Sequence, residues 1–120
     1  ELLARDAVDV VQPDIARAGG FTEIRRIAAL ASAHGVRVAP HAFGSGVLFA
    51  ASIHVAMSTP NCHLLEVGQG SMTLMYEILN EEFDIRNGEV HAPDRPGLGF
   101  TLRSDAEDRF EYVDGPEYIF

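Results

Sequence analysis

The sequence has 120 residues, is 47% hydrophobic and carries a formal charge of −9, which leaves room for one small cored domain and argues against a nucleic-acid partner, since no basic cluster offsets the acidity. Its apolar runs fall short of the 18 or more residues that a membrane span requires, and its first residues carry no targeting pattern, so no membrane partner is expected. The single cysteine, Cys62, can form neither an internal disulfide nor a thiolate metal cage, and it reads as a small buried apolar residue in a soluble, cytoplasmic protein.

Val8 to Gln12 is a β-branched run ended by Pro13, and it predicts a strand whose C-terminal edge carries Asp14. Gly19-Gly20 breaks the chain. From Thr22, read as an N-cap, the apolar positions Ile24, Ile27, Ala28 and Ala31 recur at helical spacing up to Gly35, the C-cap signal. Val36 to Ala39 predicts a second strand ended by Pro40-His41, and the loop of residues 42–46 leads into an apolar helix from Val47 to Met57. After the turn at Ser58 to Asn61, His63 to Val67 predicts a third strand, followed by Gly68, Gly70 and a short helix from Met72 to Leu79. Gly68-Gln69-Gly70 is half of a glycine fingerprint at most, and a turn accounts for it. Strands about 27 residues apart and separated by helices imply parallel pairing with right-handed crossovers.

Beyond residue 80 the pattern changes. Phe83 to Arg86 and Glu89 to Ala92 flank Asn87-Gly88, the dipeptide that a type I′ hairpin turn favours. A rigid stretch from Pro93 to Gly99 follows, and Ser104 to Glu107 fits a capping box for a last helix toward Tyr112. The expected organisation is three strand-helix units over residues 1–80 and a hairpin with a tail over 81–120, the tail being the acidic part with eleven acids against four arginines.

Asp14, His41 and Glu66 each stand at the C-terminal end of an expected strand, the edge at which ligands and catalytic groups gather in parallel α/β architectures. There Asp14 could fix the tautomer of His41 as a general base, and Glu66 could donate to or orient a carboxylate or enolate oxygen. Alternatively, Asp14 caps its own turn, His41 bonds a backbone group and Glu66 pairs with an arginine. His34 and His54 read as structural, His63 and His91 lack a metal-ligand partner at useful spacing, and no residue of this chain is assigned to metal.

The ordered set Val11-Gln12-Pro13-Asp14-Ile15, Ala18-Gly19-Gly20-Phe21, Ala39-Pro40-His41, Pro60-Asn61, Leu65-Glu66 and Asp94-Arg95-Pro96-Gly97-Leu98-Gly99 resembles the mandelate racemase subgroup of the mandelate racemase and muconate lactonizing enzyme family, in the enolase superfamily. The resemblance runs from about Val8 to Leu102. It implies an α/β fold, the last three units of a (β/α) TIM-type barrel plus a C-terminal hairpin and tail that packs toward a cap region. It also implies a Mg²⁺-dependent parent, homo-oligomeric, that takes the α-proton from a hydroxycarboxylic or sugar acid as a dehydratase or racemase. Asp14 and His41 match the family's dyad, with His41 as base, and Glu66 matches a glutamate that hydrogen-bonds the substrate carboxylate. The family's metal carboxylates lie on earlier strands, so the isolated chain is expected to be inactive. Relatives with a lysine base carry it where this chain has Asp14; the chain contains no lysine, which favours a histidine base. A dehydratase is favoured over a racemase because His41 can serve first as base and then as acid to the leaving hydroxyl. A reading of another class is a non-catalytic binding or assembly module built on exposed sheet edges. An upstream frame extending into strand-end carboxylates favours the enzyme, and a start codon just before Glu1 favours the module.

Overall fold

Strand β1 (Val10–Val11) and strand β2 (Arg37–Val38) pair in parallel, in register Val10 with Arg37 and Val11 with Val38. The structure, a computed structural model, describes residues 1–70 and 72–115; the last five residues of the expected 81–120 segment lie outside the described residues. Between the two strands runs helix α1 (Gly20–Ala33), which completes one parallel crossover unit. After β2 come α2 (Gly46–Ser58), the short α3 (Thr73–Tyr76), the antiparallel strands β3 (Asp84–Arg86) and β4 (Glu89–His91), and α4 (Ala106–Arg109). A 3₁₀ turn at Leu3–Arg5 precedes them. Among the described residues no helix is long and apolar enough to cross a membrane.

Helix α1 starts at Gly20 behind Gly19, two residues before the expected cap Thr22. Gly19 has φ 102°, a left-handed conformation that a threonine would not readily adopt, so the double glycine sets the entry rather than the hydroxyl. At the other end Gly35 has φ 69°; its N–H donates to the Ser32 carbonyl while the Val36 N–H donates to Ala31. This paired closure is a Schellman motif, and it returns the chain directly into β2. Ile24, Ala28 and Ala31 form the buried face of α1.

Helix α2 is apolar on most of its circumference because it is enclosed: Phe49 and Ile53 face Ala42 and Met75, while Ala51 and Val55 face Ile15 and Ile24. Fully burying side chains such as Phe49 and Ile53 contributes about 1.5–3 kcal/mol each. Ser45 caps the helix, its Oγ accepting from the Leu48 N–H at 3.2 Å. Phe83 reaches the same core from the C-terminal segment, edge-on to Phe49 with ring centroids 4.7 Å apart. The β3–β4 hairpin turns through Asn87 (φ 54°) and Gly88 (φ 78°), the two positive values that a type I′ turn needs.

The third expected strand, His63 to Val67, does not form; only Cys62 bridges β2, opposite Val38. Backbone chemistry supplies the reason. In β2 the N–H groups of Arg37, Ala39 and His41 serve the β1 side, donating to Asp9, Val11 and Pro13, whereas Val38 donates to Asn61 on the other side. The next donor on that side belongs to Pro40, which has no N–H, so the ladder stops after one bridge. The helix expected over Met72 to Leu79 is confined to α3. The expected capping box is also absent: α4 begins behind Asp105 with no side-chain cap bond, and the Asp105 carboxylate is held instead by Arg103 through contacts of 2.9 and 3.1 Å. That guanidinium holds the Asp105 carboxyl below the usual carboxylate range.

Candidate functional site

Strand register brings Asp14 and His41 to one edge, and the extended chain beyond the Cys62 bridge brings Glu66 to the same place. Asp14 and His41 each lie three residues beyond the paired Val11 and Val38, and they form a further parallel bridge with one another. Glu66 lies four residues beyond Cys62, which pairs with Val38 on the opposite flank of β2. His41 therefore sits between two carboxylates. Its Nδ1 is 2.8 Å from Asp14 Oδ2 and its Nε2 is 3.9 Å from Glu66 Oε2.

Asp14 is 7% exposed, and its two oxygens have separate tasks. Oδ1 accepts from the backbone N–H groups of Ala16 at 2.7 Å and Arg17 at 3.3 Å, which closes a turn over residues 14–18. Oδ2 faces His41 Nδ1, with the Arg17 Nε 4.0 Å away. The turn-capping reading and the imidazole-orienting reading of Asp14 are thus both realised, one on each oxygen. A carboxylate can only accept, so the ring must carry its proton on Nδ1 and, when neutral, leaves Nε2 as a base.

Glu66 is half-buried, and its Oε2 is a buried oxygen without a hydrogen-bond partner among the described residues. An orphaned polar atom carries a desolvation cost unless a ligand or solvent meets it, and this one points toward the face of His41 that Asp14 leaves open. Glu66 pairs with no arginine among the described residues. Phe43, which nothing in the spacing singled out, lies on the loop after β2 with its ring centroid 6.4 Å from that of His41. Its signal in the sequence was an aromatic residue two positions beyond a strand-end histidine.

Two of the other histidines have structural partners. His54 Nε2 lies 3.0 Å from the Leu98 carbonyl and ties α2 to the 93–99 stretch, while His63 Nε2 lies 3.3 Å from Arg37 Nη1. Asn61 Nδ2 donates to the carbonyls of Ala28 and Val36, fastening the end of α1 to the turn before Cys62. Burial pushes the Cys62 thiol above its ordinary value. A cavity of about 610 Å³ between α2, residues 62–69 and the hairpin is lined by none of Asp14, His41 and Glu66.

Among the described residues no group of three or more His, Cys, Asp or Glu side chains could hold a metal ion. Mg²⁺ favours an octahedral oxygen-rich shell, and Glu66 by itself does not fit that requirement.

Residues 1–106 match the family described as enolase C-terminal domain-like. The chain is similar to the D-galactarolactone cycloisomerase of Agrobacterium fabrum (strain C58), 38% identical over 95% of this chain and 32% of the relative. It is 39% identical to the D-xylonate dehydratase of Haloferax volcanii over 88% of this chain and 26% of the relative. Among solved structures it superposes on a member of the enolase superfamily from Polaromonas sp. JS666 with TM-score 0.87 and 35% identity, covering 99% of this chain and 32% of that one. The chain spans about a third or less of the length of the proteins it matches.

Proposed function

The chain belongs to the enolase C-terminal domain-like family, in the mandelate racemase branch of the enolase superfamily, and from that premise we propose that the full-length protein removes the α-proton of a sugar acid and expels its β-hydroxyl as water. The observation that carries the reading is the polarised imidazole: Asp14 Oδ2 holds His41 Nδ1 at 2.8 Å, leaving Nε2 turned toward the unpartnered Oε2 of Glu66. In this scheme Nε2 takes the α-proton and Asp14 stabilises the imidazolium that results. Glu66 hydrogen-bonds an oxygen of the substrate carboxylate as charge develops there. The imidazolium then returns its proton to the β-oxygen as the carbon–oxygen bond breaks. Water leaves, and the enol product tautomerises to a keto acid.

Mg²⁺ in the full-length protein would neutralise the charge on the carboxylate, and its ligands are proposed to lie outside this chain. Dehydration is favoured over racemisation because relatives of this chain include a sugar-acid dehydratase, and because one residue, His41, can serve both proton transfers.

His41→Asn in the full-length protein keeps a polar side chain of similar size and removes the proton acceptor. Under saturating Mg²⁺, solvent deuterium incorporation at the α-carbon and formation of elimination product should both fall by about 10²- to 10⁴-fold. Turnover at the wild-type level, with the fold intact by circular dichroism, would assign the base to another residue.

A further inference from the structure

Gly68 stands two residues beyond Glu66 and is buried, yet its φ is not positive, so backbone conformation does not demand glycine there. Space does. A Cβ at this position would lie 2.0 Å from Met72 Sδ and 3.6 Å from Phe43 Cδ2. The thioether therefore rests on the bare α-carbon with the edge of the phenyl ring in van der Waals contact beside it, and the Tyr76 hydroxyl donates to the Gly68 carbonyl at 3.4 Å, fastening the same spot to α3. Phe43 is nevertheless 50% exposed, and its free surface stands beside the half-exposed rim of the His41–Glu66 pair.

We infer that Phe43, seated with Met72 on Gly68, is the apolar wall against which the carbon chain of the substrate lies, and that it sets which chain lengths the site accepts. The inference rests on the sugar-acid reading above. An exposed aromatic face beside convergent polar groups is the makeup of a small-molecule pocket, in which apolar area supplies affinity and the few polar groups fix orientation. An extended sugar acid presents C–H edges along its chain beyond the carboxylate and the α-carbon. If His41 and Glu66 hold the reacting end, the next carbons run past the loop carrying Phe43. Glycolate, which ends at the α-carbon, has nothing to place there.

The test measures dissociation constants by calorimetry on the full-length protein with Mg²⁺ present, for glycolate and for five- and six-carbon aldonates including D-xylonate and D-galactonate. Phe43→Ala should weaken the aldonates by about tenfold or more, leave glycolate within about twofold, and be largely rescued by Phe43→Leu. Gly68→Ala, which displaces the Met72 thioether that packs beside the ring, should weaken the aldonates in the same direction as Phe43→Ala and by less. Equal weakening for glycolate and the aldonates, unchanged aldonate binding, or failure of the wild-type protein to bind any aldonate would overturn the inference. Should Phe43→Ala not fold, Phe43→Leu against Gly68→Ala carries the comparison. Parallel measurement of α-deuterium exchange in the wild-type protein separates the two ideas. Length-dependent losses without exchange keep the wall and overturn the chemistry, and exchange with length-independent binding does the reverse.

Discussion

Asp14 illustrates how one side chain can couple fold and chemistry. Asn at this position retains a carbonyl oxygen for the N–H groups of Ala16 and Arg17, so the turn should survive. The amide nitrogen that replaces Oδ2 would instead donate to His41 Nδ1 and place the ring proton on Nε2, the tautomer that cannot accept from carbon. In the full-length protein Asp14→Asn should therefore melt close to the wild-type temperature while α-deuterium exchange falls by about 10²- to 10⁴-fold. A variant that loses fold and exchange together would show that the carboxylate serves structure alone. At Cys62 burial raises the thiol above its ordinary value and a 3.3 Å contact with the Leu64 carbonyl occupies the sulfur, so alkylation by iodoacetamide near neutral pH should be slower than for free cysteine.

At the scale of elements, the join between α2 and α3 is made by an absent side chain. A Cβ on Gly46 would stand 2.5 Å from the Met75 carbonyl oxygen and 3.0 Å from Leu79 Cδ1. Backbone cannot step aside as a flexible side chain can, so Gly46→Ala should destabilise the fold by about 1–3 kcal/mol, measured by urea denaturation. The C-terminal segment is fastened differently. Glu81 accepts from the Thr101 N–H at 2.7 Å and pairs with Arg95 at 3.3 Å, and the Thr101 backbone bond in particular holds the Glu81 carboxyl below its ordinary value. A carboxyl depressed by folding adds stability above its unfolded pKa and loses it as pH falls through the folded one. Glu81→Gln should therefore lower the melting temperature at pH 7, and the difference should shrink as the pH drops below about 4.

For the whole molecule, the parallel pair β1–β2 shows how a frame of very few paired residues can fix a site. The strands are short, yet their register continues past the prolines to the Asp14–His41 bridge, because the His41 N–H still finds the Pro13 carbonyl at 3.1 Å. The flank beyond Cys62 has no such continuation, and Leu64 is left 60% exposed there. Since no metal-holding cluster exists among the described residues, titration of the 120-residue chain with Mg²⁺ should release no saturable heat. A stoichiometric isotherm abolished by Glu66→Gln would contradict that expectation.

Local rules made much of this legible in the sequence. The Schellman closure at Gly35, the Asn87-Gly88 turn, the enclosed helix α2 and the placement of Asp14 and His41 beyond parallel strands all follow from backbone preferences and hydrophobic spacing that act over a few residues. The third strand was misread because a β-branched or apolar run specifies only a willingness to pair. Whether it pairs depends on a partner with donors to offer, and Pro40 has none on that side. The tertiary structure also decided the division of labour between the two Asp14 oxygens, the unpartnered oxygen of Glu66 and the seating of Phe43 on Gly68. Each of these is a contact between segments tens of residues apart or a choice between atoms of one side chain, and one-dimensional spacing carries no information about either.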